Sequence, residues 1–279
     1  MNNTPVSSYQ PPVDKLLTYG EADVAEAKDW PDYLKLGLTS EHIPALIRMA
    51  TDKELNDLDT EKPEFWGPVH AWRALGQLHA IEAIEPLLTL FDTLGDSEWV
   101  AEEVPEVFSM IGPAALPMLA AFMSDSIHNE WARTNVASGV VYIGLNWPDA
   151  RSTSVEILSS QLENFSGEAD MFSTFLVSDL IQLEAKEAAP VIERAFAADL
   201  VDPGVVGTWD DVQFGLGLIS EEEAAKRGVR APSILPAIPA YTPTSTMQLS
   251  SNGNRSHRTT NKKAKNKMAK QSRKKNRKR

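Results

Sequence analysis

The chain has 279 residues, 42% of them hydrophobic, so it is long enough to bury a sizeable core. It contains no cysteine, which excludes disulfides, thiolate metal sites and a cysteine nucleophile. The net charge of −12 is the sum of an acidic part and a basic part of the chain. Residues 1–254 carry 39 acidic and 14 basic residues, whereas residues 255–279 carry 13 basic residues and no acidic one. We therefore expect the two parts to bind different partners.

The beginning of the chain, residues 1–12, is polar and contains proline. It has neither the basic nor the apolar region of a secretory signal, so we predict a disordered start. Apolar runs are broken by charge or glycine well before ~20 residues, so no transmembrane helix is expected. Together with the absence of cysteine, these features favour the cytoplasm. In a eukaryote the basic tail would also indicate the nucleus.

Three tryptophans provide the first evidence of an internal repeat, because they lie 33 and 32 residues apart. Each opens an amphipathic segment that ends at a glycine. These tryptophans and glycines are Trp66 with Gly76, Trp99 with Gly112, and Trp131 with Gly144. Within the second segment, Val100, Val104, Val107, Phe108 and Ile111 follow the three- and four-residue steps of one helical stripe.

A long-range internal match supports the same period. Residues 75–83 align with residues 180–188, and six of the nine positions are identical. The separation of 105 residues equals three units of 35. We predict about five helix pairs, at 13–52, 64–94, 97–124, 128–165 and 168–199. One pair cannot cover both of its apolar faces, so the fold class predicted is all-α, an α-α superhelix or solenoid of stacked hairpins.

The remaining boundaries follow from composition. Residues 200–228 are turn-rich and are predicted to cap the helical repeat domain, which then spans 13–228. Residues 229–254 contain several prolines and read as an extended linker. Residues 255–279 have too few apolar side chains to order themselves, so we predict a disordered basic tail.

One repeat resembles a known family. Ala71-Trp72-Arg73-Ala74-Leu75-Gly76, followed by Ala80-Ile81-Glu82-Ala83-Ile84-Glu85-Pro86-Leu87-Leu88, is similar to the phycobilisome-lyase type of HEAT-like repeat, within the armadillo-type fold. The resemblance covers about residues 40–200. It implies an all-α superhelix that binds or scaffolds proteins, and some members of the family attach or remove bilin chromophores. The repeat is a scaffold shared by unrelated functions, and no motif specific to the lyases is present.

No catalytic residue, metal ligand or cofactor is predicted. The histidines (His42, His70, His79, His128 and His257) have no ligand spacing, so we interpret them as surface or turn residues. The acidic groups Glu102-Glu103, Asp210-Asp211 and Glu221-Glu222-Glu223 are interpreted as solvated faces and helix caps rather than an acid–base pair. The three spaced tryptophans are predicted to pack in the core, with an aromatic groove as the alternative.

The tail carries the only predicted site. Its polyanion-binding residues are Lys262, Lys263, Lys265, Lys267, Lys270, Arg273, Lys274, Lys275, Arg277, Lys278 and Arg279. Such a run binds RNA, the ribosome or another polyanion by releasing counterions; the alternative is that it folds back on its acidic body. The function predicted is a non-enzymatic scaffold whose acidic solenoid binds a protein or peptide partner. The alternative is a chromophore-handling factor of the bilin-lyase type.

Overall fold

The computed structural model describes residues 9–22, 27–95, 97–164 and 171–229. Within these ranges every regular element is helical and no β-strand occurs, which confirms the predicted all-α class. The described residues form two compact units, which meet in the sequence between Leu119 and Ala120.

The described part of the first unit contains five complete α-helices. They are α1 (Ile43–Ala50), α2 (Lys53–Asn56), α3 (Gly67–Gln77), α4 (Ile84–Thr93) and α5 (Glu98–Ile111). Helix α3 packs against α1 and α5, and its residues from Gly67 to Gly76 are all buried. Helix α6 (Leu116–Ser124) lies at the boundary between the units.

The second unit contains two further helix pairs and a C-terminal group of short helices. They are α7 (Glu130–Asn146), α8 (Arg151–Glu163), α9 (Met171–Gln182), α10 (Ala189–Ala197), α11 (Pro203–Val206), α12 (Trp209–Gly215) and α13 (Glu221–Arg227). Helix α7 packs against α8 and α9, and α8 packs against α10. The short helices α11 to α13 occupy the residues predicted as a cap.

Four of the predicted pairs each contain two α-helices, but the first, 13–52, differs. Among its described residues, which leave out 23–26, the only α-helix is α1. Short 3₁₀ helices precede it at Val13–Thr18, Ala27–Asp29, Tyr33–Leu36 and Ser40–His42. Proline and glycine explain the difference. Pro12 and Pro31 each precede a 3₁₀ segment, and Gly20 and Gly37 adopt positive φ angles that end a helical turn.

The same connection recurs between the two helices of each hairpin. A one-turn 3₁₀ helix ends in a buried alanine and leads into the second helix. These turns are Ile81–Ala83, Pro113–Ala115, Pro148–Ala150 and Lys186–Ala188. The aligned residues His79 and Glu184 share a left-handed backbone, with φ of 52° and 51°. The nine-residue sequence match at a separation of 105 therefore corresponds to one turn geometry used twice.

Helices α7 and α8 come close together at Gly144, and this contact yields a first prediction. A Cβ atom at Gly144 would lie 2.9 Å from both the Leu183 Cδ2 and the Ser154 Cβ atoms, inside van der Waals contact. We expect Gly144→Ala to lower the free energy of unfolding by about 1–3 kcal/mol, measured by urea unfolding. In the matched control, Gly76→Ala, the atom nearest to the added Cβ is the Met110 Sδ at 3.0 Å, on a flexible side chain. We therefore expect a smaller loss of unfolding free energy. Equal losses in the two variants would contradict this account.

Candidate functional site

Helix α3 presents a row of polar side chains to the irregular segment that precedes α1. Gln77 accepts a hydrogen bond from the Tyr33 backbone N–H at 2.9 Å and donates to the Pro31 carbonyl at 2.8 Å. One turn earlier along the row lies Arg73, and His70 lies one turn before that. Through this row, helix α3 binds the irregular segment that precedes α1.

Arg73 forms a buried ion pair with Glu103 of α5. Their side chains are 2% and 5% exposed, and two bonds join them: Nε to Oε2 at 2.8 Å and Nη2 to Oε1 at 2.5 Å. The Trp72 indole N–H donates to the same carboxylate at 3.1 Å. Burial alone would lower the pKa of Arg73, but the hydrogen bonds and charge of Glu103 outweigh it and raise that pKa. The pair is therefore a permanent charge-assisted link between α3 and α5.

His70 and Tyr33 form a second buried link in the same region, so the interpretation of His70 as a surface or turn residue is wrong. The His70 Nε2 atom lies 2.9 Å from the Gly20 carbonyl, so it is the protonated donor, and Nδ1 accepts from the Tyr33 hydroxyl at 2.7 Å. Burial lowers the pKa of His70 to about 4 and raises the pKa of Tyr33 to about 12. Both groups are therefore neutral near pH 7, and the pair links the segment that precedes α1 to helix α3.

The remaining described histidines also make structural contacts. His42 Nδ1 accepts from the Thr39 backbone N–H at 3.0 Å, His79 Nδ1 lies 2.5 Å from the Met110 carbonyl, and the His128 ring stacks on Phe122 at 3.6 Å between centroids. No group of three or more histidine, aspartate and glutamate side chains that could hold a metal ion occurs in the described ranges. His257 lies outside those ranges.

The acidic pairs require one correction. Glu103 is not part of a solvated face: it lies in the apolar stripe of α5 because Arg73 compensates its charge. The interpretation as a cap is confirmed for Asp211, which accepts from the Thr208 backbone N–H at 2.7 Å. It is also confirmed for the acidic first turn of α13, where the Ser220 side chain accepts from the Glu223 N–H.

Two of the three spaced tryptophans are core residues, as predicted. Trp66 and Trp131 are each 6% exposed. Trp131 packs against Phe175 at 6.1 Å between ring centroids, and Trp66 packs against Trp99 at 5.0 Å. Trp99 is half-buried, so its ring covers Trp66 while part of it stays accessible.

The rings around Trp66 form what we call the aromatic cluster: Phe65, Trp66 and Trp99. Phe65 meets Trp66 edge to face, with centroids 5.1 Å apart and planes at 88°, and Trp99 meets Trp66 at 83°. The Trp66 indole N–H donates to the Thr60 carbonyl at 3.1 Å, which holds a turn rich in acidic residues beside the rings. The sequence predicted that the spaced tryptophans pack in the core but not this acidic border, because only the folded turn brings residues 59–61 to the indole.

Arginine side chains in the second unit also serve helix packing. Arg151 of α8 donates to the Leu183 carbonyl at 2.7 and 2.9 Å and to the Glu184 carbonyl at 3.0 Å, so it satisfies the C-terminal end of α9. The Arg151 guanidinium also pairs with Glu187, and this hydrogen bond lowers the pKa of that carboxyl. Arg133 donates to the Met123 carbonyl at 2.6 Å and lies 4.1 Å from the Phe172 ring centroid.

The predicted polyanion-binding residues, from Lys262 to Arg279, lie outside the described residues, as do the predicted linker beyond Val229 and the tail. Among the described helices none is both long and apolar enough to cross a bilayer on its own. One apolar pair, Glu98–Ile111 with Pro113–Ser124, has the combined length but is bent by 110°.

Comparisons of this chain with protein-family models, with curated proteins and with solved structures found no match. The resemblance to the HEAT-like repeat therefore stays a prediction.

Proposed function

We propose that this chain is a non-enzymatic helical-repeat scaffold. In this proposal its hairpins stack as a HEAT-like solenoid, its acidic body binds a protein or peptide partner, and its basic tail binds RNA or another polyanion. The observation that carries the proposal is the separation of charge. The described residues hold 34 acidic and 13 basic side chains, whereas residues 255–279 hold 13 basic and no acidic ones. Opposite surfaces of this strength favour different ligands.

The contacts of the body support a scaffold. Side chains from successive hairpins meet at separations close to the repeat period: Arg73 with Glu103 at 30 residues, His79 with Met110 at 31, and Arg151 with Leu183 at 32. Polar side chains here join one helix to the next, and the Arg73–Glu103 pair among them is buried. A repeat protein uses such interfaces for its stability and leaves its outer surface for recognition.

Deletion of residues 255–279 tests the tail. We expect the truncated chain to lose retention on heparin and on single-stranded poly(U) RNA at low salt, because counterion release supplies this affinity. The logarithm of the full chain's binding constant should fall linearly with the logarithm of salt, by about 0.7 for each phosphate neutralised on a single strand. Far-UV circular dichroism should show the same helical signal per ordered residue in both proteins.

A substitution control separates charge from length. Changing the seven basic residues from position 270 onward to glutamine keeps the tail at full length. We expect this variant to show an intermediate affinity and a shallower dependence on salt. Unchanged retention after the full deletion would overturn the role of the tail.

Affinity capture tests the body. The full chain and the chain lacking 255–279 are each used as bait at 50 mM and 300 mM salt. A protein partner of the body should be retained by both forms, and a ligand of the tail only by the full chain at the lower salt. If no protein is retained by both forms, the proposed role of the body is wrong.

A further inference from the structure

We propose that the aromatic cluster of Phe65, Trp66 and Trp99 is a docking surface for a lysine- or arginine-rich segment of a partner protein. The proposal rests on the proposed function, since it names the chemistry of the partner that the acidic body would bind. Two independent features carry it: partly accessible rings, and exposed acidic residues on both sides of the Thr60 carbonyl that binds the Trp66 indole.

The rings supply the first feature. Trp66 is buried and forms a fixed base, while Phe65 and Trp99 each pack on it nearly perpendicularly and remain half-buried. The face of an aromatic ring attracts ammonium and guanidinium groups, most strongly for tryptophan. The chain already uses this interaction internally, where Arg73 lies 4.9 Å from the Trp30 ring centroid and Arg48 lies 4.6 Å from that of Tyr9. Phe65 and Trp99 therefore offer ring surface suited to a cation from outside.

The carboxylates supply the second feature. The Thr60 carbonyl is bound to the Trp66 indole, and the residues on both sides of Thr60, Asp59 and Glu61, are exposed. Glu64 directly precedes Phe65 in the 3₁₀ helix Pro63–Trp66. Residues 57–64 contain four acidic side chains and one basic side chain, Lys62. A cationic segment would meet charge attraction and ring faces in the same place, which an acidic or an apolar segment would not.

The test is a binding titration with the full chain. The probe is a fluorescein-labelled 12-residue peptide of alternating lysine and alanine, followed by fluorescence anisotropy at 20 mM and 150 mM salt. Trp99→Leu and Phe65→Leu keep the net charge and an apolar side chain but remove a ring. We expect each variant to bind the peptide about fivefold more weakly than the wild type. Phe65→Leu keeps the test decisive if Trp99→Leu lowers the folded fraction.

Two matched controls show where the peptide binds. Trp209 is also half-buried and stacks on another ring, Phe196 at 6.0 Å, but it belongs to the second unit, so Trp209→Leu should leave affinity unchanged. The double variant Glu61→Gln/Glu64→Gln should weaken binding and flatten its salt dependence. Glu193→Gln/Glu221→Gln removes the same charge from the second unit and should have a much smaller effect.

The outcomes separate this surface from the general role of the body. If Trp99→Leu and Phe65→Leu bind the peptide as tightly as wild type, the docking surface is wrong. Equal losses from the two glutamine variants would also overturn it, because bulk charge would then explain the binding. Absence of peptide binding by the wild type overturns it too. The capture experiment decides the role of the body independently of all three results.

Discussion

The substitution Glu103→Gln is expected to lower the free energy of unfolding by about 3–5 kcal/mol. It preserves the shape of the side chain but leaves the Arg73 guanidinium, which is 2% exposed, without a countercharge. Desolvating an unpaired cation is costly, and glutamine supplies only a neutral acceptor in return. Urea unfolding followed by circular dichroism measures the loss.

A double substitution shows whether charge is the cause. In Arg73→Met/Glu103→Leu neither charge remains, and side chains of similar volume fill the space between α3 and α5. We expect this variant to recover most of the stability lost in Glu103→Gln, because a buried ion pair stabilises little relative to good apolar packing. A single variant that loses less than 1 kcal/mol, or a double variant no more stable than the single one, would contradict the account.

Acid is expected to destabilise the protein through His70. Burial lowers the pKa of His70 to about 4 from an ordinary value of 6.5, so the unfolded chain takes up this proton at a higher pH than the folded chain. The contribution of His70 to the free energy of unfolding is constant above pH 6.5. This contribution falls as the pH drops from 6.5 to 4, and it is constant again below that range. The difference between the two pKa values corresponds to about 3 kcal/mol.

The variant His70→Gln isolates this effect. Glutamine has a donor and an acceptor for the Gly20 carbonyl and the Tyr33 hydroxyl but does not titrate. Tyr19, Tyr33 and Arg73 still surround the position, and the carboxylates of the protein titrate in both forms. Between pH 7 and pH 4 the wild type should therefore lose about 3 kcal/mol more than His70→Gln. Parallel stability curves for the two proteins would show that His70 does not titrate as the structure indicates.

Periodicity predicted most of the helices, and its limits are informative. The stretch from Trp66 to Leu88 was predicted as a hairpin, and the structure contains α3, a one-turn connection and α4 there. Residues 13–52 have comparable composition but did not form a full pair. The periodicity of apolar residues takes no account of backbone conformation. In this segment Pro31 and Gly37 disfavour helical geometry before an apolar stripe is long enough to stabilise a helix.

The buried ion pair could have been suspected from the sequence but not assigned. Glu103 interrupts the apolar stripe of α5, and Arg73 stands among apolar residues of α3, 30 residues earlier. Two oppositely charged residues among apolar residues, about one repeat length apart in the sequence, indicate an ion pair between successive hairpins. Helix α5 also contains Glu102 and Glu106, and side-chain direction rather than spacing decides which of its glutamates meets the arginine.

The short sequence separations of these contacts also bear on how the chain acquires its structure. The links between successive hairpins join residues about 30 to 36 apart, and the longest link described, from His70 to Gly20, spans 50. Topologies dominated by such near-neighbour pairings fold quickly. A ribosome adds about 5–20 residues per second, so each hairpin meets its next packing partner within a few seconds of emerging. Each unit can therefore begin to assemble from its first helices during synthesis, before the basic C-terminal residues have been translated.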